Sequence, residues 1–140
     1  MRLWHYKLLP VLPDKFIIAE WRECIAIKRQ WDKGTLKHRL VSYVMNYNRA
    51  YFLSYVLEVV KEMEKRKIKY NQKYLEEIKA FCGLETDLEN KTFNYLTYPE
   101  HDERYLRQCY YNLQEKFDRD IINLADYNLI NKTIGGKIDN

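Results

Sequence analysis

Residues 13–34, PDKFIIAEWRECIAIKRQWDKG, decide the fold class of this 140-residue chain. Pro13 and Asp14 suit a helix start, because proline fits the first turn and an early carboxylate suits the positive end of the helix dipole. Apolar residues then recur at helical spacing until Lys33 and Gly34 end the pattern. The apolar stripe consists of Ile17, Ile18, Trp21, Cys24, Ile25 and Trp31. This stretch predicts a long amphipathic helix.

The same periodicity predicts further helices at about 49–67, from Asn71 to Gly83, and from Pro99 to about 118, with another turn within 119–130. Residues 35–49 and 84–98 are expected to be loops, the first with a short helix near 38–45. In the second helix, Glu62 is expected to pair with Arg66 on the solvent face. The chain is therefore predicted to be an all-α single compact domain of three to four main helices over residues 1–130. Residues 131–140 are predicted to form a flexible tail.

Composition narrows the class of protein. A hydrophobic content of 46% argues against disorder, and four Gly and three Pro argue against a turn-rich all-β fold. The net charge of +4 is concentrated in residues 1–50, where ten Lys and Arg face four Asp and Glu, a local excess of +6. A localised basic surface is typical of a protein that binds a polyanion, although a solvated face without a partner gives the same pattern.

Cysteine usage and hydropathy indicate the compartment. The three cysteines, Cys24, Cys82 and Cys109, are an odd number without CxxC spacing, which favours reduced, mostly buried thiols. No apolar run reaches membrane-spanning length, and no signal peptide is recognisable. A cytoplasmic monomer without a membrane partner is expected, either associated with the nucleoid or encoded by a virus.

Two groups near the start of the chain suggest chemistry. A free α-amine such as that of Met1 is a candidate nucleophile, because α-amines of model peptides have a pKa of about 7.7 and are partly neutral at physiological pH. Leu3, Trp4, Leu8 and Leu9 are apolar enough to hold this terminus in place. Glu23 lies between Ala19 and Ala26 on one helix stripe, which predicts a carboxylate in a shallow patch with Arg22 beside it. The alternatives are a frayed terminus and an ordinary surface glutamate.

The three histidines do not predict a metal site. His5, His38 and His101 lack metal-ligand spacing with one another or with a cysteine. Residues 98–101, YPEH, stand at a predicted helix start, where polar groups can bind a phosphate or orient a carboxylate. No Walker loop, dinucleotide-binding glycine pattern or nucleophile elbow is present, so no cofactor is expected.

The sequence resembles the pyrimidine-dimer DNA glycosylases. The resemblance rests on Arg2, Leu12, Asp14 and the block at residues 19–23, AEWRE, and it extends more weakly to about residue 117. The opening residues 1–5, MRLWH, and residues 21–24, WREC, are closer still to a microbial branch of that family.

The resemblance implies a reaction on double-stranded DNA that uses groups of the protein alone, without a metal or a cofactor. The terminal amine of Met1 would attack the sugar C1′ of a damaged nucleotide, release the base and form an imine, with Glu23 as the essential carboxylate. β-Elimination would then cut the strand. Arg2 and Arg22 would contact phosphates, and further DNA contacts are expected from Lys28, Arg29, Lys37, His38 and Arg39. His5 and His101 are candidate supporting residues.

The chain also departs from the family pattern. Phe16 and Ala26 stand where the family has a histidine and an arginine, and the aromatic carboxyl-terminal loop is replaced by residues 126–130, DYNLI. The resemblance therefore leaves the lesion open between a pyrimidine dimer, another modified base and an abasic site. Two non-enzymatic alternatives remain: a DNA-binding or adaptor protein that kept the fold without the chemistry, and a helical protein-interaction bundle.

Overall fold

The computed structural model describes residues 1–83 and 96–135, and in these ranges it contains helices and no strand. The α-helices are α1 (Asp14–Asp32), α2 (Arg49–Lys65), α3 (Gln72–Cys82), α4 (Glu103–Asp118) and α5 (Leu124–Ile130). Short 3-10 helices span Tyr6–Val11 and Ser42–Asn46, and a π-helical turn spans Asn131–Gly135. The prediction of an all-α fold is confirmed. The loop predicted at 84–98 lies outside the described residues up to position 95.

Asparagine and aspartate caps set the starts of the later helices. Asn48 and Asn71 accept hydrogen bonds from main-chain N–H groups at 2.9 Å, which fixes the first turns of α2 and α3. α3 ends at Gly83, which has the left-handed conformation that glycine adopts without strain. The helix ends inferred from the sequence at these positions are therefore confirmed to within two residues.

The predicted start of the fourth helix at Pro99 is wrong by four residues. The chain first makes a turn closed by the His101 N–H on the Tyr98 carbonyl at 2.9 Å. Asp102 then caps α4 by accepting the Tyr105 N–H at 2.9 Å. The capping carboxylate, and not the proline, determines where the helix begins, because it satisfies a main-chain donor that has no partner in the first turn.

The helices pack around one apolar core. α1 lies against α2, and both contact α3. Of the predicted apolar stripe of α1, Ile17, Trp21 and Cys24 are buried, whereas Ile18, Ile25 and Trp31 are partly buried. In α2 the buried positions recur at helical spacing and include Leu53, Val56, Val60 and Met63. Each buried side chain of this size stabilises the fold by roughly 1.5–3 kcal/mol relative to exposure. No helix in the described part of the chain is both long enough and apolar enough to cross a membrane.

Arg66 does not lie on the solvent face as the sequence suggested. Its guanidinium pairs with Glu62 at 2.8 Å, and Glu62 is itself buried. The same group donates to the Leu12 carbonyl at 2.6 Å and to the Leu9 carbonyl at 3.2 Å. Arg66 therefore fastens the 3-10 helix that precedes α1 to the end of α2.

The last residues that the structure describes contact the core. Ile134, in the π-helical turn, is only 4% exposed. Residues 136–140 lie outside the described ranges, so the predicted tail boundary at residue 131 stays a prediction.

Candidate active site

The first residues of the chain are held in an extended path by side chains from several helices. The Tyr105 hydroxyl donates to the Leu3 carbonyl at 2.5 Å, and the Tyr55 hydroxyl donates to the Trp4 carbonyl at 2.6 Å. The Trp4 N–H in turn donates to a carboxylate oxygen of Glu20 at 3.5 Å. Leu3 is fully buried and Trp4 nearly so, as the apolar composition of this segment predicted. The terminus is thus built into the fold.

The fixed segment delivers the terminus to a pocket of about 550 Å³. We call this the amino-terminal pocket and define it by the residues that line it: Met1, Arg2, Trp4, Lys15, Phe16, Ala19, Glu20, Glu23, Leu40, Asn112, Lys116 and Ile121. Met1 is half-buried and packs against the core. Met1 and Glu23, the two residues that the sequence marked for chemistry, therefore lie in the wall of one cavity.

Two carboxylates from α1 face this pocket. Glu20 and Glu23 are three residues apart and so share a helix face. Glu20 is only 1% exposed, while Glu23 is half-buried. Each has one buried carboxylate oxygen without a hydrogen-bond partner, Oε1 of Glu20 and Oε2 of Glu23. Unsatisfied buried acceptors are rare in folded proteins and indicate a place where a ligand or proton is expected.

Glu20 was not singled out from the sequence, although a signal was present. It falls on the buried face of α1 together with Ile17, Cys24 and Ile27, where a charged residue is unusual. Burial raises its pKa well above the ordinary carboxyl value, and the nearby charge of Glu23 raises it further. The Trp4 N–H acts in the opposite direction more strongly than Glu23 but less strongly than burial, and the terminal amine and Arg2 add smaller lowering effects. Glu20 is therefore disposed to hold a proton.

The remaining wall of the pocket combines rings and cations. The Phe16 ring stacks on Trp4 at a centroid distance of 6.1 Å, so this part of the pocket has an apolar wall. Lys15 and Lys116 place their amino groups 5.7 Å and 6.0 Å from the Phe16 ring centroid. Neither lysine was predicted as a site residue. Spacing along the sequence could not show that Lys116, on α4, meets residues of α1.

Arg2 and Arg22 lie differently with respect to the pocket. Arg2 lines it and holds its guanidinium 5.6 Å from the Trp4 ring centroid. Arg22 is exposed on α1 beside Glu23, outside the residues that line the cavity.

The other predicted DNA contacts separate into two groups. Lys37, His38 and Arg39 are exposed in the loop that leads to Leu40, a pocket residue, so this loop borders the cavity. Lys28 pairs with Asp32 at 3.3 Å, and Arg29 stacks over Tyr74 at 5.1 Å. These two residues and Ala26 are absent from the pocket wall.

His5 and His101 support the amino-terminal segment from behind the pocket. His101 accepts the Tyr6 N–H through Nδ1 at 3.3 Å, and its Nε2 lies 2.8 Å from the Tyr43 hydroxyl. Burial lowers the pKa of His101 to about 3, so the ring is neutral with its proton on Nε2, directed at Tyr43. His5 accepts the Lys7 N–H at 3.1 Å, and burial lowers its pKa as well. Both histidines are buried and line no part of the pocket.

A second groove, of about 790 Å³, lies between the 3-10 helix at Tyr6–Val11 and α5. Its central cation, Arg66, is already paired with Asp14 at 2.9 Å and with main-chain carbonyls. The terminus and Glu23 are not part of it. Across residues 1–83 and 96–135, no group of three or more His, Cys, Asp or Glu is placed to hold a metal ion.

Comparison with known proteins identifies the family of the chain. A sequence-family model described as pyrimidine dimer DNA glycosylase matches residues 1–76, more than half of the chain. The matched region contains the terminus, Glu20 and Glu23. No curated protein and no solved structure matches. DNA is the substrate that the family implies. The chain belongs to the pyrimidine dimer DNA glycosylase family.

Proposed function

We propose that this protein is a DNA base-excision glycosylase with associated AP-lyase activity, in which the α-amine of Met1 is the nucleophile. One observation carries the proposal: the terminus and two carboxylates with unsatisfied oxygens line the same pocket. A pocket that combines an amine with carboxylates suits imine chemistry, because the carboxylates can move protons at the nitrogen and stabilise positive charge.

The reaction follows from these groups. The neutral amine of Met1 attacks C1′ of the nucleotide, the nitrogen–carbon bond forms, and the glycosidic bond breaks with its electron pair leaving on the base. The sugar ring opens as O4′ gains a proton and an iminium forms between Met1 and C1′. Glu23 stabilises the developing positive charge and then removes a C2′ proton, so that the 3′ phosphate leaves by β-elimination.

Binding is proposed to rest on the basic first third of the chain. Arg2 in the pocket, Arg22 beside Glu23, and the loop of Lys37, His38 and Arg39 are placed to meet phosphates around one nucleotide. The protein would act as a monomer on double-stranded DNA without a metal. A nucleotide must leave the duplex for its C1′ to reach Met1, so kinking and base extrusion are part of the proposal.

The side chains of the pocket wall also bear on which damaged nucleotide the protein would accept. Trp4 and Phe16 offer aromatic surface, Leu40 and Ile121 add apolar area, and Asn112 supplies one amide that can read a base edge. This wall suits a single extruded nucleotide. Pyrimidine dimers, other modified bases and abasic sites are the substrates to compare.

Borohydride trapping tests the proposal. Protein with an unmodified terminus is mixed with ultraviolet-irradiated and with abasic duplexes, and borohydride reduces any imine to a stable covalent adduct. We expect an adduct with the wild type, none after acetylation of the α-amine, and no strand cleavage by Glu23→Gln with DNA binding largely intact. Glu115→Gln is the matched control, because Glu115 lies on the exposed face of α4 and pairs with Arg119.

Two other outcomes would assign the protein to a different functional class. Salt-sensitive DNA binding without any adduct, unchanged by acetylation, would identify a DNA-binding protein that lacks the chemistry. Failure to bind DNA or heparin at low salt would identify a protein-interaction bundle.

A further inference from the structure

Glu20 is a buried carboxyl group to which none of the proposed reaction steps assigns a role of its own. Two glutamates are buried in the described part of the chain, and they differ in their partners. Glu62 has the Arg66 guanidinium at 2.8 Å. Glu20 has only the Trp4 N–H at 3.5 Å on Oε2, and nothing on Oε1. A buried carboxylate without a cation in contact is costly, and a neutral carboxylic acid at the same place costs much less.

The groups around Glu20 do not supply a compensating charge at contact distance. Among the described residues, the titratable or charged groups that interact with Glu20 come from α1, the terminal segment, the Ser42–Asn46 helix and α2, and they include Glu23, Cys24, the Met1 amine, Arg2, Tyr43 and Tyr55. Burial raises the pKa of Cys24 and of both tyrosines, so these groups stay neutral. No ion pair within 4.0 Å joins the Met1 amine to Glu20 among the described residues.

The two pocket carboxyls are therefore in contrasting environments. Glu20 is almost completely buried in the pocket wall, while Glu23 is half-buried at the cavity. When neighbouring carboxyl groups lie in such different environments, the buried one is the candidate acid. Residues three apart on a helix have Cβ atoms about 5–6 Å apart, so a proton can pass between their side chains directly or through one water.

We propose that Glu20 is a protonated carboxylic acid in the resting enzyme and is the proton reservoir for the departing base, delivering its proton through Glu23. This inference rests on the proposed function. Glu20 acts through Glu23 and is a positioning residue for the proton, since it is only 1% exposed in the pocket wall, whereas Glu23 is half-buried.

The step balances in atoms and charge. The amine of Met1 contributes two protons, of which one stays on the iminium nitrogen and one goes to O4′. The base leaves with the glycosidic electron pair and gains the proton that Glu20 releases. The Glu20 O–H bond breaks, the base N–H bond forms, and the Glu20 carboxylate left behind balances the positive iminium. No co-reactant is needed.

The first measurement reads the proton directly and needs no DNA. We compare infrared spectra of the wild type and Glu20→Gln at neutral pH and look for the carbonyl stretch of a protonated carboxylic acid. We expect this band in the wild type, its loss in Glu20→Gln, and its retention in Glu62→Gln, the other buried glutamate. A wild type without the band at neutral pH overturns the proposal.

The second measurement tests whether Glu20 supplies the proton for the departing base. Single-turnover imine trapping is followed against pH for the wild type and Glu20→Gln, with DNA affinity measured in parallel. We expect the wild-type rate to fall at high pH together with the infrared band. Glu20→Gln should be at least tenfold slower at neutral pH, without that high-pH fall and with unchanged DNA affinity. A Glu20→Gln profile that matches the wild type overturns the role, because glutamine preserves the size and neutrality of a merely structural group.

Two further outcomes are decisive. If Glu20→Gln does not fold, the wild type alone decides, because its trapping rate and infrared band must titrate together; separate transitions overturn the proposal. If the wild type traps no DNA while the infrared band is present, the proposed function fails and the reservoir role fails with it. The protonated state of Glu20 would then stand as a separate finding.

Discussion

The buried hydroxyl of Tyr55 donates a 2.6 Å hydrogen bond to the main-chain carbonyl of Trp4, and thereby joins the middle of α2 to the start of the chain. Burial raises the pKa of Tyr55, so the hydroxyl keeps its proton and remains a donor throughout the physiological range. This bond fixes the segment that carries Met1 into the amino-terminal pocket.

Tyr55→Phe should weaken both folding and chemistry. The ring remains, but the Trp4 carbonyl is left buried without a donor, which costs about 1–3 kcal/mol in free energy of unfolding. We expect slower imine trapping with little change in DNA affinity, because the terminus loses its placement and not its charge. Urea unfolding and single-turnover trapping measure the two effects.

Tyr70→Phe is the control for this substitution. The Tyr70 hydroxyl makes its 2.7 Å bond to Glu64 at the surface, so its loss should change stability by less than about 0.5 kcal/mol. Equal effects of the two substitutions would contradict the structural role of Tyr55.

His101 should make the fold sensitive to mild acid. Burial lowers its pKa to about 3, with a smaller effect in the same direction from His5. The unfolded chain binds a proton at His101 below about pH 6.5, whereas the folded protein does not. The free energy of unfolding should therefore fall as the pH drops from about 6.5 towards 3, by up to about 1.4 kcal/mol per pH unit from this one site.

Urea unfolding between pH 4 and 7 measures this dependence. The His101→Gln variant should have a clearly smaller slope, with a remaining part from the buried His5, while substitution of the exposed His38 should leave the slope in place. A slope that is the same in the wild type and in His101→Gln would show that His101 is not held neutral.

Arg66→Ala should be among the most destabilising single substitutions outside the amino-terminal pocket. It removes the partner of the buried Glu62 and three main-chain contacts in the Leu9–Leu12 region. Loss of one member of a buried ion pair costs about 3–5 kcal/mol, and partial exposure places this one near the lower value. Thermal or urea unfolding measures the loss.

Arg119→Ala provides the comparison. It breaks an ion pair with Glu115 at the same 2.8 Å separation, but with the arginine side chain 71% exposed, so less than about 1 kcal/mol should be lost. If Arg66→Ala were equally mild, Arg66 would not fasten the chain as we describe.

The loop of Lys37 and Arg39 should contribute to DNA binding through charge. Replacing both by alanine removes up to two phosphate contacts, and each lost contact should reduce the slope of log affinity against log salt by about 0.9. Fluorescence anisotropy at several salt concentrations measures the slope. The pair Lys65 and Lys67, which lines no part of the pocket, gives the same change in net charge and should leave the slope nearly unchanged.

The helices were predictable because local signals define them. The apolar period of α1, the caps at Asn48 and Asn71, and Gly83 all act within a few residues, so each can be read along the sequence. The exception is the start of α4, where the Asp102 cap prevailed over the earlier proline.

The assembly of the site was less predictable, because it depends on contacts between distant segments. Nothing near Lys116 in the sequence shows that it meets Phe16, and nothing near Arg66 shows that it reaches the Leu9 carbonyl. Glu20 was visible as a carboxylate on an apolar stripe. Only the fold shows that it lacks a cation and faces the same pocket as Met1.

The most direct test of the central claim is the position of the covalent adduct. Lys15 and Lys116 line the same pocket as Met1, so trapping alone does not identify the nucleophile. After borohydride reduction on an abasic duplex, proteolysis and mass spectrometry locate the attached sugar. We predict that the adduct lies on the α-nitrogen of Met1. An adduct on Lys15 or Lys116, or an adduct that still forms when the α-amine is acetylated, would contradict the account.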